Sequence, residues 1–235
     1  GDDVGDNVVD HFLDRAREAR DTGLPSVWFS QRLDHDALSV ATAVAAVVPE
    51  IGIGTAVVPV YSRHPLVVSS QAQTAQAASH GRFTLGLGLG ARAVMEPAFG
   101  VSAARPIRHL REYLTVLRSL LDTRSVDFDG QTITAHSLRP ARVSGADSAP
   151  SVLVAAMGPQ TLRVAGERRW RSYDSIPFYR TVLDREGEGH AALARYVEAG
   201  ATEIIAAHTA LHTEADRRCA WATLAQFHRD HAQPH

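Results

Sequence analysis

The sequence contains no lysine, a single cysteine and no long apolar run. All 24 basic residues are arginines spread along 235 residues, and with 26 acidic residues they leave a formal net charge of −2. A chain with this balance has no overall positive field that would attract nucleic acid or an anionic membrane. We therefore expect neither of them as a partner.

The single cysteine also bears on location. Cys219 has no second cysteine with which to form a disulfide within the chain, which favours a reducing, cytoplasmic setting. No apolar run approaches the roughly 20 residues that a membrane-spanning helix needs. Residues 1–4 show neither the basic start nor the apolar core of a secretion signal. We therefore expect a cytoplasmic protein.

Apolar spacing predicts an alternation of helices and strands. Residues at helical spacing predict helices at 7–22, 36–48, 64–78, 106–121 and 158–167. Short apolar segments between them predict strands at 25–30, 51–58, 82–88, 151–156 and 201–206. An Asp-Gly pair at 129–130 predicts a small hairpin. The alternation predicts an α/β fold with a parallel sheet, in a single domain over residues 1–235.

Five strands are too few to close an eight-stranded barrel. The sequence starts at a helix with no strand before it, and residues 167–173 lead from one helix into the next with no strand between them. We hypothesise that segments of a longer barrel are missing before residue 1 and near Trp170 and Arg171. A further position at which a segment could be missing is 187–190. The alternative is a smaller, open α/β sheet.

Several segments, in this order, resemble the luciferase-like monooxygenase superfamily. The resemblance is carried by residues 23–34, 53–66, 71–75 and 81–90, and continues through 106–114, 128–130, 150–159, 179–187 and 199–202. These segments are most similar to the coenzyme F420-dependent branch, in its actinobacterial form. The resemblance implies a (β/α)₈ TIM barrel. It also implies an oxidoreductase that moves a hydride between the deazaflavin F420 and a small organic substrate, with the cofactor supplying the redox chemistry. No metal site is expected.

The resemblance also implies where the cofactor binds. In such barrels, ligands lie at the carboxyl ends of the strands. The cofactor-binding residues are then expected at four strand ends: Gln31 and Arg32; Ala56 and Val57; Gly88 and Gly90; and Ala155, Ala156, Met157, Gly158 and Pro159.

Each of these strand ends also has a purely structural interpretation. Glycines at alternate positions let a flat ring approach the backbone, although they also make room for packing, which is the expected role of Gly86. The segment after Ala155 leads into a helix whose free amides favour a phosphate, although a plain turn is commoner. Relatives carry a bulge with a non-proline cis peptide bond at the position of residues 55–57.

Arg32 departs from the family pattern, in which a histidine usually stands at this position. Arginine does not release its proton near neutral pH, but it can hold an anion or stabilise charge on the ring. His35 is then the candidate proton carrier, although loop histidines are usually bystanders. Arg32 and His35 are therefore the candidate catalytic residues. Tyr61, Arg63 and Arg92 could reach the same rim, but we expect each to be a surface group, and His64 to be a helix cap.

Two other functions stay open at this point. The same fold with FMN and oxygen would be a monooxygenase. The histidine that Arg32 replaces also suggests a degenerate barrel that binds a cofactor or small molecule without turnover. We further expect a homodimer through helices 36–48 and 64–79, which carry small and apolar residues beyond one face: Ala41, Ala43, Ala45, Val67, Val68, Ala72 and Ala75.

Overall fold

The structure is a computed structural model that describes residues 7–155, 160–161, 163–164, 171–173 and 214–231. Three sequence-based predictions therefore lie outside the described residues. These are the binding segment 156–159, the strand at 201–206 and the candidate gap at 187–190.

Helices and strands alternate along the chain, as the apolar spacing predicts. The helices are α1 (Val8–Thr22), α2 (Ala37–Val47), α3 (Pro65–Ala78), α4 (Arg92–Phe99), α5 (Pro106–Thr123) and α6 (Glu214–His231). The strands are β1 (Ser26–Phe29), β2 (Gly52–Thr55), β3 (Val58–Pro59), β4 (Phe83–Gly88), β5 (Asp127–Asp129), β6 (Thr134–His136), β7 (Ser151–Ala155) and β8 (Arg171–Tyr173). None of these helices is long and apolar enough to cross a membrane.

Side-chain caps begin three of the helices. The carboxamide oxygen of Asn7 accepts hydrogen bonds from the amides of Val9 and Asp10 at the start of α1. Asp36 caps α2, and His64 caps α3 through its ring nitrogen, as we expected for this histidine. These caps satisfy amides that have no partner inside the helix. Asp36 and His64 therefore fix where the loops after β1 and β3 end.

The main sheet is parallel, with the strand order β1, β2, β4, β7, β8, and β3 continues beside β4. β5 and β6 form a separate antiparallel hairpin at the predicted Asp-Gly turn. β8 pairs with β7 where the sequence showed no strand between two helices, so that interpretation was wrong. A strand of three residues is too short for its periodicity to be recognised. The hypothesis of missing segments stays a prediction.

The two faces of the sheet differ in side-chain size. Phe29 of β1 contacts Phe12 of α1, with ring centroids 5.5 Å apart, so this face of the sheet packs on helices. The strand registers place Trp28 on the opposite face in a row with Gly54, Thr84 and Ser151, and they place Gly86 in a row with Leu153. A Cβ added to Gly54 would lie 2.3 Å from the Trp28 ring. Gly54 therefore leaves the space that the Trp28 ring occupies.

The helices pack on one another in the order α1, α2, α3, α5, and the last described helix, α6, lies beside the first. Arg217 of α6 pairs with Glu18 at 2.9 Å, and Arg15 of α1 pairs with Glu214 at 3.1 Å. The Arg217 guanidinium also lies over the Trp221 ring, 4.4 Å from its centroid. These contacts join the first and the last of the described helices.

The expected dimer helices are largely buried within the chain itself. Five of the seven residues that suggested an interface are at most 3% exposed: Ala41, Ala45, Val68, Ala72 and Ala75. α2 packs on α3, and the side chain of Gln73 on α3 binds Ala141 O at 2.9 Å in the segment that follows the hairpin. Most of the small and apolar residues that suggested an interface are therefore buried by contacts within one chain. Val47 and Val67 stay exposed.

Candidate cofactor site

A bulge interrupts the pairing of β2 and β3 with β4. Gly54 pairs with Thr84 and Val58 pairs with Leu87, so three residues on one side, Thr55 to Val57, stand opposite two on the other. The Thr55 hydroxyl fills the break, accepting from Gly86 N at 2.9 Å and donating to Gly86 O at 3.0 Å. The peptide bond between Ala56 and Val57 is cis, at the position that the family resemblance implied.

The bulge joins four neighbouring strand ends in one line. The Ser30 hydroxyl, after β1, donates to Ala56 O at 2.8 Å, and Ala56 N donates to Phe29 O at 2.9 Å. On the other side, a Cβ added to Gly88 would lie 2.8 Å from Val57 Cγ2 and 3.2 Å from Ala155 Cβ. All the predicted binding residues that the structure describes therefore lie at one edge of the sheet.

The glycines of β4 are explained by their protein neighbours. A Cβ on Gly86 would meet Thr55 O at 1.7 Å, which confirms its expected packing role. Val57 and Ala155 occupy the space beside Gly88. Gly90 has φ of 72°, in the left-handed region, and a Cβ there would lie 3.0 Å from the Met95 sulfur. Contact with a ring is therefore not needed to account for these glycines, although the Gly90 backbone is exposed.

The side chain of Gln31 is occupied by the loop that follows β1. Its amide nitrogen donates to Arg32 O at 2.8 Å and His35 O at 3.2 Å. Its oxygen accepts from Ala37 N at 3.2 Å and from Arg63 Nη2 at 3.3 Å. A glutamine side chain has two donors and two lone pairs, so this carboxamide has no capacity left for a ligand. Gln31 organises the loop, and only its backbone is available to a ligand.

The two candidate catalytic residues are both tied to Asp34. Arg32 Nε lies 3.1 Å from Asp34 Oδ1, and the Arg32 side chain is 64% exposed. This hydrogen bond holds the pKa of the Asp34 carboxyl below its usual value. His35 Nδ1 lies 2.9 Å from the same carboxylate, and its ring packs on Phe12 with centroids 5.0 Å apart. Arg32 therefore lies on the rim, while His35 is mostly covered by α1.

A pocket of about 280 Å³ adjoins the end of β4. Its wall is mostly apolar. It is formed by Leu89 and Gly90 just after β4, by Tyr61 from the loop after β3, by Arg92 of α4, by Ala103 and Ala104 from the loop between α4 and α5, and by Pro106 at the start of α5. A small carbon skeleton fits such a wall. The pocket is therefore a candidate substrate site beside the strand ends.

Tyr61 and Arg63 are half-buried, which corrects their assignment as surface groups, whereas Arg92 is 70% exposed, as we expected. The Tyr61 ring stacks on His109 of α5, with centroids 4.5 Å apart and planes 5° apart. Arg63 forms an ion pair with Asp36 and joins the loops after β1 and β3. The sequence analysis missed His109 and Tyr113, although two polar aromatic residues four apart on the apolar stripe of α5 were a usable signal.

A flat cofactor ring suits the residues at the strand ends. Ala56, Val57 and Ala155 are small, apolar and half-buried at adjacent positions, and the Gly90 backbone is exposed beside them. Such a surface offers van der Waals contact to one face of a ring without a side chain in the way. Among the described residues, no group of three or more His, Cys, Asp or Glu side chains is placed to hold a metal ion.

Comparisons with known proteins agree with this geometry. The chain is 30% identical to the 5,10-methylenetetrahydromethanopterin reductase of Methanolobus tindarius over 153 residues, which cover 65% of this chain and 46% of the reductase. The F420-dependent tetrahydromethanopterin reductase of Methanopyrus kandleri superposes with a TM-score of 0.57 at 24% identity, over 69% of this chain and 51% of that one.

A flavin enzyme has a similar fold. The oxygenating component of the 3,6-diketocamphane monooxygenase from Pseudomonas putida, solved in complex with FMN, superposes with a TM-score of 0.60 at 19% identity. The match covers 83% of this chain and 59% of that one. The chain thus spans about half the length of the proteins it matches.

The family model of the luciferase-like monooxygenases matches residues 1–229, nearly the whole chain. The fold is accordingly the luciferase-like α/β barrel, of which the described main-sheet strands form an open, parallel part. Members of this family are oxidoreductases. The chain belongs to the luciferase-like monooxygenase family.

Proposed function

We propose that this protein is an F420-dependent oxidoreductase that transfers a hydride between the deazaflavin and a small organic substrate. The observation that carries the proposal is the bulge at residues 55–57, set in the middle of four adjacent strand ends. It stands at the position at which F420-using relatives support the ring. The similarity to reductases, one of them named as F420-dependent, supports the same branch of the family.

In this proposal, Ala56, Val57 and Ala155 contact one face of the ring, together with the backbone of Gly88 and Gly90. The ring supplies the hydride chemistry when it is bound, and these residues hold it in position and exclude water. Arg32, on the rim, places a permanent positive charge near the ring edge. The segment 156–159 is proposed to contact phosphate or the ring edge.

A second candidate is an FMN-dependent monooxygenase, because an FMN-bound monooxygenase shares the fold. The pocket and strand ends described above do not distinguish the two rings. The third candidate, a barrel that binds without turnover, rests on the arginine at position 32. A homodimer and a cytoplasmic location also stay proposals. They rest on the exposed Val47 and Val67 and on the single cysteine.

Equilibrium binding of F420 and of FMN to the purified protein, followed by reduction assays, tests the proposal. We expect F420 to bind at least tenfold more tightly than FMN, a difference of about 1.4 kcal/mol. Tighter FMN binding with oxygen consumption would favour the monooxygenase. Binding of either cofactor without reduction of any substrate would favour the degenerate barrel.

A further inference from the structure

Four neighbouring side chains, of which Tyr61 lines the pocket, each carry a buried polar atom that has no hydrogen-bond partner. The atoms are Tyr61 Oη, Arg63 Nη1, His109 Nε2 and Tyr113 Oη, and each exposes less than 1 Å². Buried polar groups are nearly always paired, and leaving one unpaired destabilises the fold. A cluster of four therefore indicates that water or a ligand completes the site.

The His109 ring is held so that one nitrogen is ready to accept a proton. The Val60 carbonyl accepts a hydrogen bond from the ring, and Nε2 is the nitrogen without a partner, so the bonded nitrogen is Nδ1. Burial lowers the pKa of His109. The neutral ring with a proton on Nδ1 then presents the Nε2 lone pair.

Tyr61 connects this histidine to the pocket. Its ring lines the pocket beside Gly90 and stacks on His109, and Pro106, one helical turn before His109, lines the same pocket. Burial raises the pKa of the Tyr61 phenol, so it keeps its proton at neutral pH. The phenol can donate to a ligand oxygen or pass a proton, whereas Arg32 cannot release one and His35 is tied to Asp34.

We propose, on the basis of the function proposed above, that Tyr61 is a catalytic residue for an alcohol bound in this pocket and that His109 acts through it. With oxidised F420 bound, the alcohol C–H bond would break and the cofactor would take up its hydride. The hydroxyl proton moves to Tyr61 Oη as the tyrosine proton moves to His109 Nε2 through one water, because neither atom has a hydrogen-bond partner and the two rings stack. The products are a carbonyl compound, the reduced deazaflavin and an imidazolium. The reverse sequence reduces a carbonyl.

The charged groups around the pair are few and mostly engaged. Glu112, on the same helix as His109, is held by the hairpin residues 131–133. Arg92 and Glu96 of α4 act electrostatically on Tyr61 and pair with each other at 3.0 Å. Arg63 acts on Tyr113 from the opposite side. Because the Arg92–Glu96 pair lies on the surface, an entering ligand can displace it.

The test compares the wild type with Tyr61→Phe, His109→Phe and a control, His228→Phe, an exposed position on α6. Both test variants keep an aromatic ring in the stack. The purified proteins are loaded with F420 and assayed with cyclohexanol and 2-butanol from pH 5 to 9. Nitrogen NMR of labelled histidine reports the state of His109 Nε2 before and after cyclohexanol is added.

We expect Tyr61→Phe and His109→Phe to lose at least about 100-fold in kcat, with the F420 Kd within twofold. The wild-type rate should rise with pH along an acidic limb that lies below the usual range of a histidine pKa, and His109→Phe should lose this limb. The control should match the wild type. A kcat within threefold of wild type for either variant, or an acidic limb that survives in His109→Phe, would overturn the proposal.

The NMR measurement decides the case if no alcohol is turned over or no cofactor binds. The function proposed above fails if neither F420 nor FMN binds. Whether or not a cofactor binds, cyclohexanol should shift the His109 Nε2 signal in the wild type and leave it unchanged in Tyr61→Phe. An Nε2 signal that does not respond in the wild type would refute the proposed roles of Tyr61 and His109, independently of any cofactor.

Discussion

Thr55 and Gly86 are joined by two hydrogen bonds through one hydroxyl, which accepts from Gly86 N at 2.9 Å and donates to Gly86 O at 3.0 Å. Thr55 is fully buried, and the bulge beside it leaves these two backbone groups of Gly86 without a strand partner. The hydroxyl takes the place of the backbone hydrogen bonds that the bulge interrupts. It therefore fixes the position of Ala56 and Val57 relative to the end of β4.

Replacing Thr55 with valine keeps the shape and removes both hydrogen bonds. We expect a loss of about 2–3 kcal/mol in the free energy of unfolding, because buried backbone groups of Gly86 lose their partner. Urea unfolding followed by circular dichroism measures this loss. Thr84→Val is the matched control, because Thr84 is half-buried and lies two residues before Gly86 on β4. This variant should lose less than about 1 kcal/mol in the free energy of unfolding. Equal losses in the two variants would show that the hydroxyl does not support the bulge.

Glu112 should make stability depend on pH. Despite its burial, which alone would raise its pKa, hydrogen bonds from the Thr132 side chain and from the amides of residues 131–133 hold the pKa of this carboxyl below its usual value. A lowered pKa in the folded state stabilises the fold above the unfolded pKa, and the contribution is lost as pH falls through the folded pKa.

The corresponding variant is Glu112→Gln, whose amide group faces these donors. We expect it to lose about 2–3 kcal/mol at pH 7. The difference in the free energy of unfolding between this variant and the wild type should become smaller as the pH falls through the range in which carboxyl groups titrate. Urea titrations at several pH values measure this difference. Asp122→Asn, on the exposed side of α5, serves as the control. A difference that does not change with pH would exclude the carboxylate as its source.

Arg32→His tests the proton chemistry on the rim. The ring is proposed to be held by backbone and apolar contacts, so the F420 Kd should stay within about tenfold, or 1.4 kcal/mol. Besides the acidic limb expected from His109, the rate should gain a second dependence on pH near 6.5, the usual histidine pKa. Loss of F420 binding would instead identify Arg32 as a binding anchor. If the wild type already shows this dependence and His35→Ala removes it, then His35 is the proton carrier.

The homodimer is tested at Val67, which is 49% exposed on α3. Light scattering at micromolar concentration should give the dimer mass for the wild type and the monomer mass for Val67→Asp, because a charge at an apolar interface loses its hydration. Val94→Asp is the control, at an exposed valine of α4. A monomeric wild type would refute the dimer, in line with the burial of most small residues on α2 and α3.

The sequence by itself determined most of the helices and strands and the parallel sheet, although it did not indicate α4. Those features depend on local periodicity and caps, which neighbouring residues decide. The hairpin at residues 129–130 also belongs to this class. The family and the position of the candidate site followed from the resemblance of ordered segments, and parallel strands bring their carboxyl ends to the same edge.

Only the tertiary structure decided what the individual side chains at that edge do. Gln31 is occupied by partners that include Arg63, 32 positions away, and His109 meets Tyr61 across 48 positions. Gly88 makes room for Val57 and Ala155. Such contacts depend on how the loops and helices pack over the sheet, and no local pattern in the sequence encodes them. For the same reason β8, three residues held by its pairing with β7, was not recognised from the sequence.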